Sequence, residues 1–204
     1  MKTFMIVALL LAACNGKPPG DDIPRSVVSA QEKVTDDFEK DNPKWSFAAG
    51  KWVRREGVLA QTAETQPWAV AILEDKRFSD VDVTVKFRPI SGKEDASGGL
   101  IVRAKDAKNY YLVRANGLED NFRLYTMKDG SRNQLASTKV DAPKLREWHT
   151  MRVVAKGAKI QAYFNGKLLI DHDDKTYSEG YVGLWTKADS VTEFEDLEAI
   201  GSAR

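Results

Sequence analysis

The sequence predicts an all-β fold, an antiparallel sandwich or jelly roll, on three observations. Apolar and polar residues alternate with a period of two in many short runs, most clearly from Val81 to Phe87, as in a strand with one buried face. Turn pairs such as Asn165-Gly166 separate these runs and indicate hairpins. No helical period of useful length interrupts roughly a dozen such segments. The 204 residues suffice for one domain with a sizeable core.

Most of the predicted strands lie in the first two thirds of the chain. Residues 29–38 fit either a short helix or an edge strand, and Glu56-Gly57 joins two short strands. Residues 68–73 are largely apolar, as expected for a strand covered on both faces. A half-buried strand at residues 81–87 is predicted as a separate element. Further strands are predicted at residues 98–104, 109–115, 122–127 and 134–138.

The last third predicts a meander of three strands. Residues 151–155 and 160–164 alternate on either side of Lys156-Gly157, and Asn165-Gly166 leads into residues 167–171. Strands at residues 180–186 and 192–199 complete this block. We expect the rest of the fold to be built around this meander.

Charge and the N-terminal segment bear on partners and location. The net charge of +1 gives no field to attract nucleic acid, so no nucleic-acid partner is expected.

Residues 1–13 form a predicted signal peptide. Leu11-Ala12-Ala13-Cys14 resembles a bacterial lipobox, which implies cleavage before Cys14 and acylation of its thiol. A membrane partner through this lipid anchor is therefore predicted.

The same pattern predicts the domain organisation. Residues 14–30 contain three prolines and would form a flexible tether, and residues 31–204 would form the jelly-roll domain. Asn15 rather than Asp follows the cysteine. By the sorting convention of enteric lipoproteins, we expect the outer membrane of the cell envelope.

Candidate catalytic groups are few. The only histidines are His149 and His172, and no Gly-x-Ser-x-Gly motif is present. Glu193 and Glu195 lie on one side of the last predicted strand, as paired carboxylates of a glycosidase would. Asp189 stands at a strand end and is a further candidate. Alternating acids on a closing strand also fit a solvated face.

Aromatic and basic residues form a candidate binding band. Aromatic rings pack on the apolar faces of sugars, while Arg and Asn hydrogen-bond hydroxyl groups. If the predicted strands are neighbours, such side chains cross one outward face. Alternating Arg and Tyr that decorate a solvated sheet remain the alternative. The candidate ligand-binding residues are Arg103, Tyr110, Arg114, Asn116, Tyr125, Trp185 and Lys187.

A family resemblance covers about residues 34 to 200. The chain resembles bacterial concanavalin A-like jelly rolls of the 3-keto-disaccharide hydrolase type, formerly a domain of unknown function and often labelled family 16 glycoside hydrolase. The matching segments are Asp36-Asp37-Phe38, Gly50-Lys51-Trp52, Gly57-Val58-Leu59, residues 98–104, residues 109–114, Trp148-His149, Asn165-Gly166, residues 183–190 and residues 194–197.

The resemblance implies two antiparallel sheets and a sugar-related activity. It also implies a structural calcium near the first and last strands, with Asp36, Asp37 and Asp196 as oxygen ligands; no other cofactor is predicted. Two departures bear on hydrolysis. Glu193-x-Glu195-x-Leu197 lacks the third acid of family 16 glucanases, and Ala96-Ser97-Gly98 stands where Asn-Ser-Gly is usual.

Three functions are consistent with these features. The first is an envelope-anchored lipoprotein that recognises carbohydrate. The second is a glycoside hydrolase-type enzyme that acts on 3-keto-disaccharides or glucans. The third is a non-catalytic envelope scaffold. The sequence favours the first.

Overall fold

A computed structural model describes residues 31–203, and in this part of the chain every regular element is a strand. The predicted signal peptide, Cys14 and the tether lie outside the described residues. Within residues 31–203 no helix is long and apolar enough to cross a membrane. The strands are β1 Gln31–Asp36, β2 Trp45–Ala48, β3 Trp52–Arg55, β4 Val58–Gln61, β5 Thr65–Ser91, β6 Ser97–Asp106, β7 Asn109–Asn116, β8 Glu119–Lys128, β9 Ser131–Lys139, β10 His149–Lys156, β11 Lys159–Phe164, β12 Lys167–Asp173, β13 Gly180–Ala188 and β14 Val191–Ala203.

The 27-residue strand β5 belongs to both layers of the domain. In its first half, Ala71 pairs with Phe47 of β2 and Leu184 of β13. In its second half, Val83 pairs with Val153 of β10 and Ala199 of β14. The prediction of two separate strands was wrong here. Residues 74–80 contain no Gly or Pro to break the strand, and it continues from one layer to the other.

The two layers form a jelly-roll sandwich in which every strand pair is antiparallel. One layer has the order β2-β5-β13-β6-β7-β8-β9. The other has β12-β11-β10-β5-β14, and β14 pairs on its other side with β1 and β4, while β3 pairs with β4. Large side chains such as Phe87, Tyr111, Phe122 and Phe194 fill the interior. The predicted fold class is confirmed.

The predicted meander exists, but it does not organise the fold. Strands β10, β11 and β12 are consecutive neighbours, and Asn165 (φ 47°) and Gly166 (φ 79°) form the expected turn. The next two strands leave this block. Strand β13 lies between β5 and β6, and β14 pairs with β1, β4 and β5. The centre is therefore β5 with its partners, because they hold the two layers together.

Candidate functional site

The first layer carries a second apolar cluster on its outer side, away from the sandwich interior. In β6, Leu100 and Val102 belong to the interior, while Ile101 between them belongs to the outer cluster. Half-buried Trp68 packs against the same cluster. We call this surface the aromatic face. Its buried members are Val70, Ile72, Ile101, Ala104, Tyr110, Leu112, Tyr125, Met127 and Trp185.

The aromatic face is concave. Trp68 lies on β5 and Tyr125 on β8, with three strands between them. The guanidinium carbon of Arg132 nevertheless lies 4.7 Å from the centre of the Tyr125 ring and 5.8 Å from that of Trp68. The centres of the Trp68 and Trp185 rings are 6.2 Å apart. The layer is strongly curved, as twisted sheets commonly are, and this curvature brings these side chains together.

Charged side chains border the aromatic face at one end. Arg114 Nη2 donates to Asp95 Oδ2 at 3.0 Å and to Glu119 Oε1 at 3.2 Å. Lys187 Nζ lies 3.2 Å from the same Asp95 oxygen, and Arg123 Nη1 lies 3.4 Å from Glu119 Oε2. We call these five residues the polar cluster.

Strand register places the polar cluster beside the aromatic rings. Trp185 pairs with Gly99, and Gly99 pairs with Arg114. Paired residues on neighbouring strands project to the same side of a sheet. A Cβ atom on Gly99 would lie only 3.2 Å from Trp185 Cβ and 2.7 Å from Leu112 Cδ1. The absence of a side chain at Gly99 therefore allows Trp185 and Leu112 to pack directly against the main chain of β6.

Electrostatics fix the charge states of the cluster. The hydrogen bond from Arg114 lowers the pKa of Glu119 to about 2, against a smaller effect of burial. Burial alone would lower the pKa of Arg114, but hydrogen bonding to Glu119 and the charge of Asp95 raise it. Burial raises the pKa of Tyr110, which the nearby Trp185 partly opposes. At neutral pH Glu119 and Arg114 are ionised and Tyr110 is neutral.

Seven buried polar atoms on the outer side of this layer have no hydrogen-bond partner. They belong to strands β7, β8, β9 and β13. Buried polar groups are normally bonded, and each one left unbonded costs about 1–3 kcal/mol. The atoms are Tyr110 Oη, Arg114 Nε, Asn116 Nδ2, Asn121 Oδ1, Arg123 Nε, Arg132 Nη1 and Trp185 Nε1.

Six of the seven predicted binding residues meet on or beside the aromatic face: Tyr110, Arg114, Asn116, Tyr125, Trp185 and Lys187. They are less open than the sequence suggested. Arg114 is 2% exposed and Trp185 is fully buried, because the layer curves around them. Asn116 Oδ1 accepts hydrogen bonds from the N–H groups of Ala96 and Leu118 and so shapes the loop next to the cluster.

Arg103 is placed elsewhere. Its φ angle is 53°, and the pairing of β6 with β7 is irregular beyond Val102. This irregularity turns its side chain away from the face. The guanidinium donates to the carbonyl oxygens of Ser79, Gly157 and Tyr177, at 2.7 to 3.1 Å. It is 1% exposed and joins three segments of main chain.

Asp189 supports the site indirectly. Its carboxylate accepts hydrogen bonds from the main-chain N–H groups of Lys93, Glu94 and Asp95. Partial burial would raise the pKa of Asp189, but these hydrogen bonds hold it below its usual value. Asp189 therefore fixes the loop that presents Asp95 to Arg114.

The other two carboxylates proposed for catalysis lie in the second layer. Glu193 is bonded to Arg55 at 2.9 Å and to Arg88 at 2.5 Å. Glu195 lies 3.2 Å from Lys86 Nζ. Both carboxylates therefore have cationic partners, and neither joins the aromatic face.

The residues predicted to hold calcium make other contacts. Asp36 accepts hydrogen bonds from Phe38 N, Asn42 Nδ2 and Trp45 Nε1, and its oxygens also contact Arg54. Asp37 accepts from the N–H of Glu39, and Asp196 pairs with Lys86 at 2.8 Å. In the described part of the chain, no three His, Cys, Asp or Glu residues are grouped to hold a metal ion. The calcium prediction receives no support.

Sequence reasoning missed four residues of the site. Asp95 and Glu119 lie in or beside short turns and resemble ordinary surface acids. Trp68 is the first aromatic residue of an apolar run, and Arg132 follows a turn on an edge strand. The alternation of β8 shows only that Arg123 and Tyr125 share a side. Nothing local indicates that Arg132 reaches Trp68 across the layer.

These features define a jelly-roll domain with a concave aromatic face and a charged cluster at its border. The chain belongs to the family described as the 3-keto-alpha-glucoside-1,2-lyase-like domain, whose sequence profile matches residues 32–199. The recognised resemblance to this family is confirmed.

Similar proteins carry the domain as part of larger chains. A levanase of Bacillus subtilis is 25% identical over 180 residues, covering 86% of this chain and 25% of the levanase. An extracellular exo-alpha-L-arabinofuranosidase of Streptomyces chartreusis is 26% identical over 151 residues, covering 72% of this chain and 18% of that enzyme. The chain thus spans a quarter or less of these relatives.

Solved structures share the fold. The carbohydrate-binding module CBM66 from Bacillus subtilis superposes with a TM-score of 0.70 at 22% identity, covering 76% of this chain and 94% of the module. A Bacillus subtilis protein with a galectin-like fold gives a TM-score of 0.65 at 14% identity, covering 83% of this chain and 95% of that one. Similarity at this level establishes the fold alone.

Proposed function

We propose that this domain binds carbohydrate on the aromatic face. The observation that carries the proposal is the aromatic face with the polar cluster at its border, where half-buried Trp68 lies on the same side of the layer as the partly exposed Arg123 and Lys187. Aromatic rings pack on the apolar faces of a sugar, while such polar atoms hydrogen-bond its oxygens. A ligand that hydrogen-bonds polar groups left without partners removes their desolvation cost, and this favours binding.

The named relatives support this choice. A levanase and an arabinofuranosidase are enzymes of glycan breakdown, and CBM66 is a carbohydrate-binding module. In both enzymes the matching segment is a minor part of the chain. An accessory binding role for such a segment is consistent with its small share.

A glycan array tests the proposal. The purified full-length protein would be screened beside Trp185→Ala and the half-buried Trp68→Ala, each checked for folding by circular dichroism. The control is Trp148→Ala, whose ring packs under Arg88 at 4.4 Å, away from the aromatic face. We expect the face variants to lose at least tenfold in affinity and the control to bind normally. Equal binding by all three would contradict the site, and no bound glycan would contradict the function.

Glycoside cleavage is the second candidate, favoured by two carboxylates at the same face. Asp95 and Glu119 both bind one nitrogen of Arg114. Glu119, with its pKa near 2, would act as a base or stabilise charge and would not serve as a general acid. Incubating bound glycans and 3-keto-disaccharides with the protein tests this. Product that Asp95→Asn abolishes would establish cleavage; binding without product would exclude it for those sugars.

We also propose attachment to the cell envelope through Cys14, with the outer membrane as the location. This rests on the lipobox-like segment before Cys14. A binding domain held at the surface would retain glycans near the cell.

A further inference from the structure

The unbonded atoms of the aromatic face are almost all hydrogen-bond donors. Three belong to guanidinium groups, on Arg114, Arg123 and Arg132, and guanidinium only donates. The Asn116 amide nitrogen is also a donor, whereas the Trp185 indole N–H and the Tyr110 hydroxyl interact with each other, which partly offsets the rise that burial causes in the pKa of Tyr110. Asn121 Oδ1 is the one acceptor among the seven. The aromatic face therefore favours a ligand with many hydrogen-bond acceptor atoms.

The carboxylates that would serve a neutral sugar already have partners. A sugar hydroxyl normally donates one hydrogen bond as well as accepting others, as a Ser or Thr hydroxyl does. Asp95 accepts from Arg114, Lys187 and Ser190, the last at 3.4 Å. Glu119 accepts from Arg114 and from Asn121 at 2.8 Å. Few acceptors are left for a ligand made only of hydroxyl groups.

The charge of the face is positive. Arg114, Arg123 and Lys187 share the two carboxylates of Asp95 and Glu119. Within residues 31–203, Arg132 has no carboxylate at ion-pair distance; its contacts are with the Tyr125 and Trp68 rings. The polar cluster and Arg132 thus have four cationic groups against two anionic ones, and the charge of Asp106 acts on Tyr110 at the same face. A planar guanidinium matches a carboxylate through two parallel hydrogen bonds.

From these donors and this charge, we propose that the ligand is an acidic sugar, with its uronate carboxylate between Arg132, Arg123 and Arg114. The half-buried ring of Trp68 packs against the apolar face of the same sugar. This inference rests on the proposed function, because it specifies the class of carbohydrate bound at that face.

Calorimetry with paired ligands tests this directly. Oligomers of galacturonate, glucuronate and mannuronate would each be titrated into the full-length protein beside their methyl esters, which remove the charge and add one methyl group. We expect at least one acid to bind tenfold or more tightly than its ester at 50 mM salt. Added salt would reduce the ratio of the two affinities, because salt screens the exposed part of the ion pair between the ligand carboxylate and the arginines.

Arg132→Gln and a matched control separate the charge effect from folding. Arg132→Gln is expected to bring the acid and its ester to within about twofold of each other. Arg152→Gln keeps the full preference, because Arg152 pairs with Asp82 on the second layer. Equal affinity for acids and esters in the unaltered protein would overturn the inference, as would a preference that survives Arg132→Gln.

The result also separates this inference from the proposed function. Neutral glycans bound at Trp185 and Trp68, with acids no better, would leave carbohydrate binding in place and remove the acidic specificity. Binding of neither acids nor neutral glycans would contradict both.

Discussion

At the scale of single residues, burial decides what each arginine does. Arg103 is 1% exposed and bonds three main-chain carbonyl groups. Arg114 is similarly buried but keeps Nε unbonded and faces two carboxylates. Arg152 pairs with Asp82 at 2.6 Å with a side chain that is 42% exposed. One residue type therefore serves structure, binding and the surface.

The first prediction concerns Arg103. Arg103→Met removes its hydrogen bonds to Ser79, Gly157 and Tyr177 and leaves buried carbonyl groups unbonded. We expect the free energy of unfolding to fall by about 3 kcal/mol. Arg152→Met, which breaks an exposed ion pair, should cost less than about 1 kcal/mol. Urea unfolding measures both changes. An equal decrease in the free energy of unfolding for the two variants would show that the hydrogen bonds of Arg103 do not stabilise the fold more than an exposed ion pair does.

The second prediction is a pH dependence from Glu119. The pKa of its carboxyl falls from 4.5 to about 2 in the folded protein. Ionisation therefore stabilises the fold above about pH 4.5, and this contribution disappears as the pH falls toward 2. Glu119→Gln should flatten that part of the curve of Tm against pH. The exposed Glu64→Gln is the control, and identical acid curves for wild type and Glu119→Gln would refute the assignment.

At the scale of elements, turns and close approaches give glycines different roles. Gly166 ends the β11–β12 turn with φ 79°, and a Cβ there would meet nothing within 4 Å. Gly99 has no positive φ, but a Cβ would press on Leu112 and Trp185. The first glycine is required by the backbone and the second by the site.

The third prediction separates these two effects. Gly166→Ala should lower the free energy of unfolding by about 1 to 2 kcal/mol, from the left-handed conformation alone, and leave glycan binding unchanged. Gly99→Ala should weaken binding severalfold because it displaces Trp185. Chemical unfolding and calorimetry on both variants check this. Normal binding by Gly99→Ala would mean that the position of Trp185 does not matter for the ligand.

At the scale of the whole molecule, two layers joined by β5 have distinct outer sides. The aromatic face with its unbonded donors occupies the first layer. The second layer presents paired charges, such as Glu193 with Arg88 and Glu195 with Lys86. A surface cavity of about 710 Å³ on this layer is lined by residues that include Asp36, Lys86 and Asp196. The two outer sides therefore differ in character, and the proposed sugar site lies on the first layer.

The fourth prediction concerns attachment of the whole molecule. Wild-type protein produced in a bacterial host should incorporate labelled palmitate and partition into detergent, since each buried CH₂ contributes roughly 0.8 kcal/mol. Cys14→Ser should carry no label and remain in the aqueous phase. Labelled Cys14→Ser, or unlabelled wild type, would contradict the lipid anchor.

The sequence by itself determined most of the strands, several turns and the family. The alternation of apolar and polar residues and turn pairs such as Asn165-Gly166 depend on only a few neighbouring residues, so they can be recognised without knowledge of the fold. It also selected six residues that lie on or beside the aromatic face, because strand periodicity determines the side to which a residue projects. Tertiary structure alone decided that β5 is continuous, that Arg103 is buried, and that Arg132 reaches Trp68. Those outcomes depend on strand order, register and layer curvature, which arise from pairings between residues far apart in the chain.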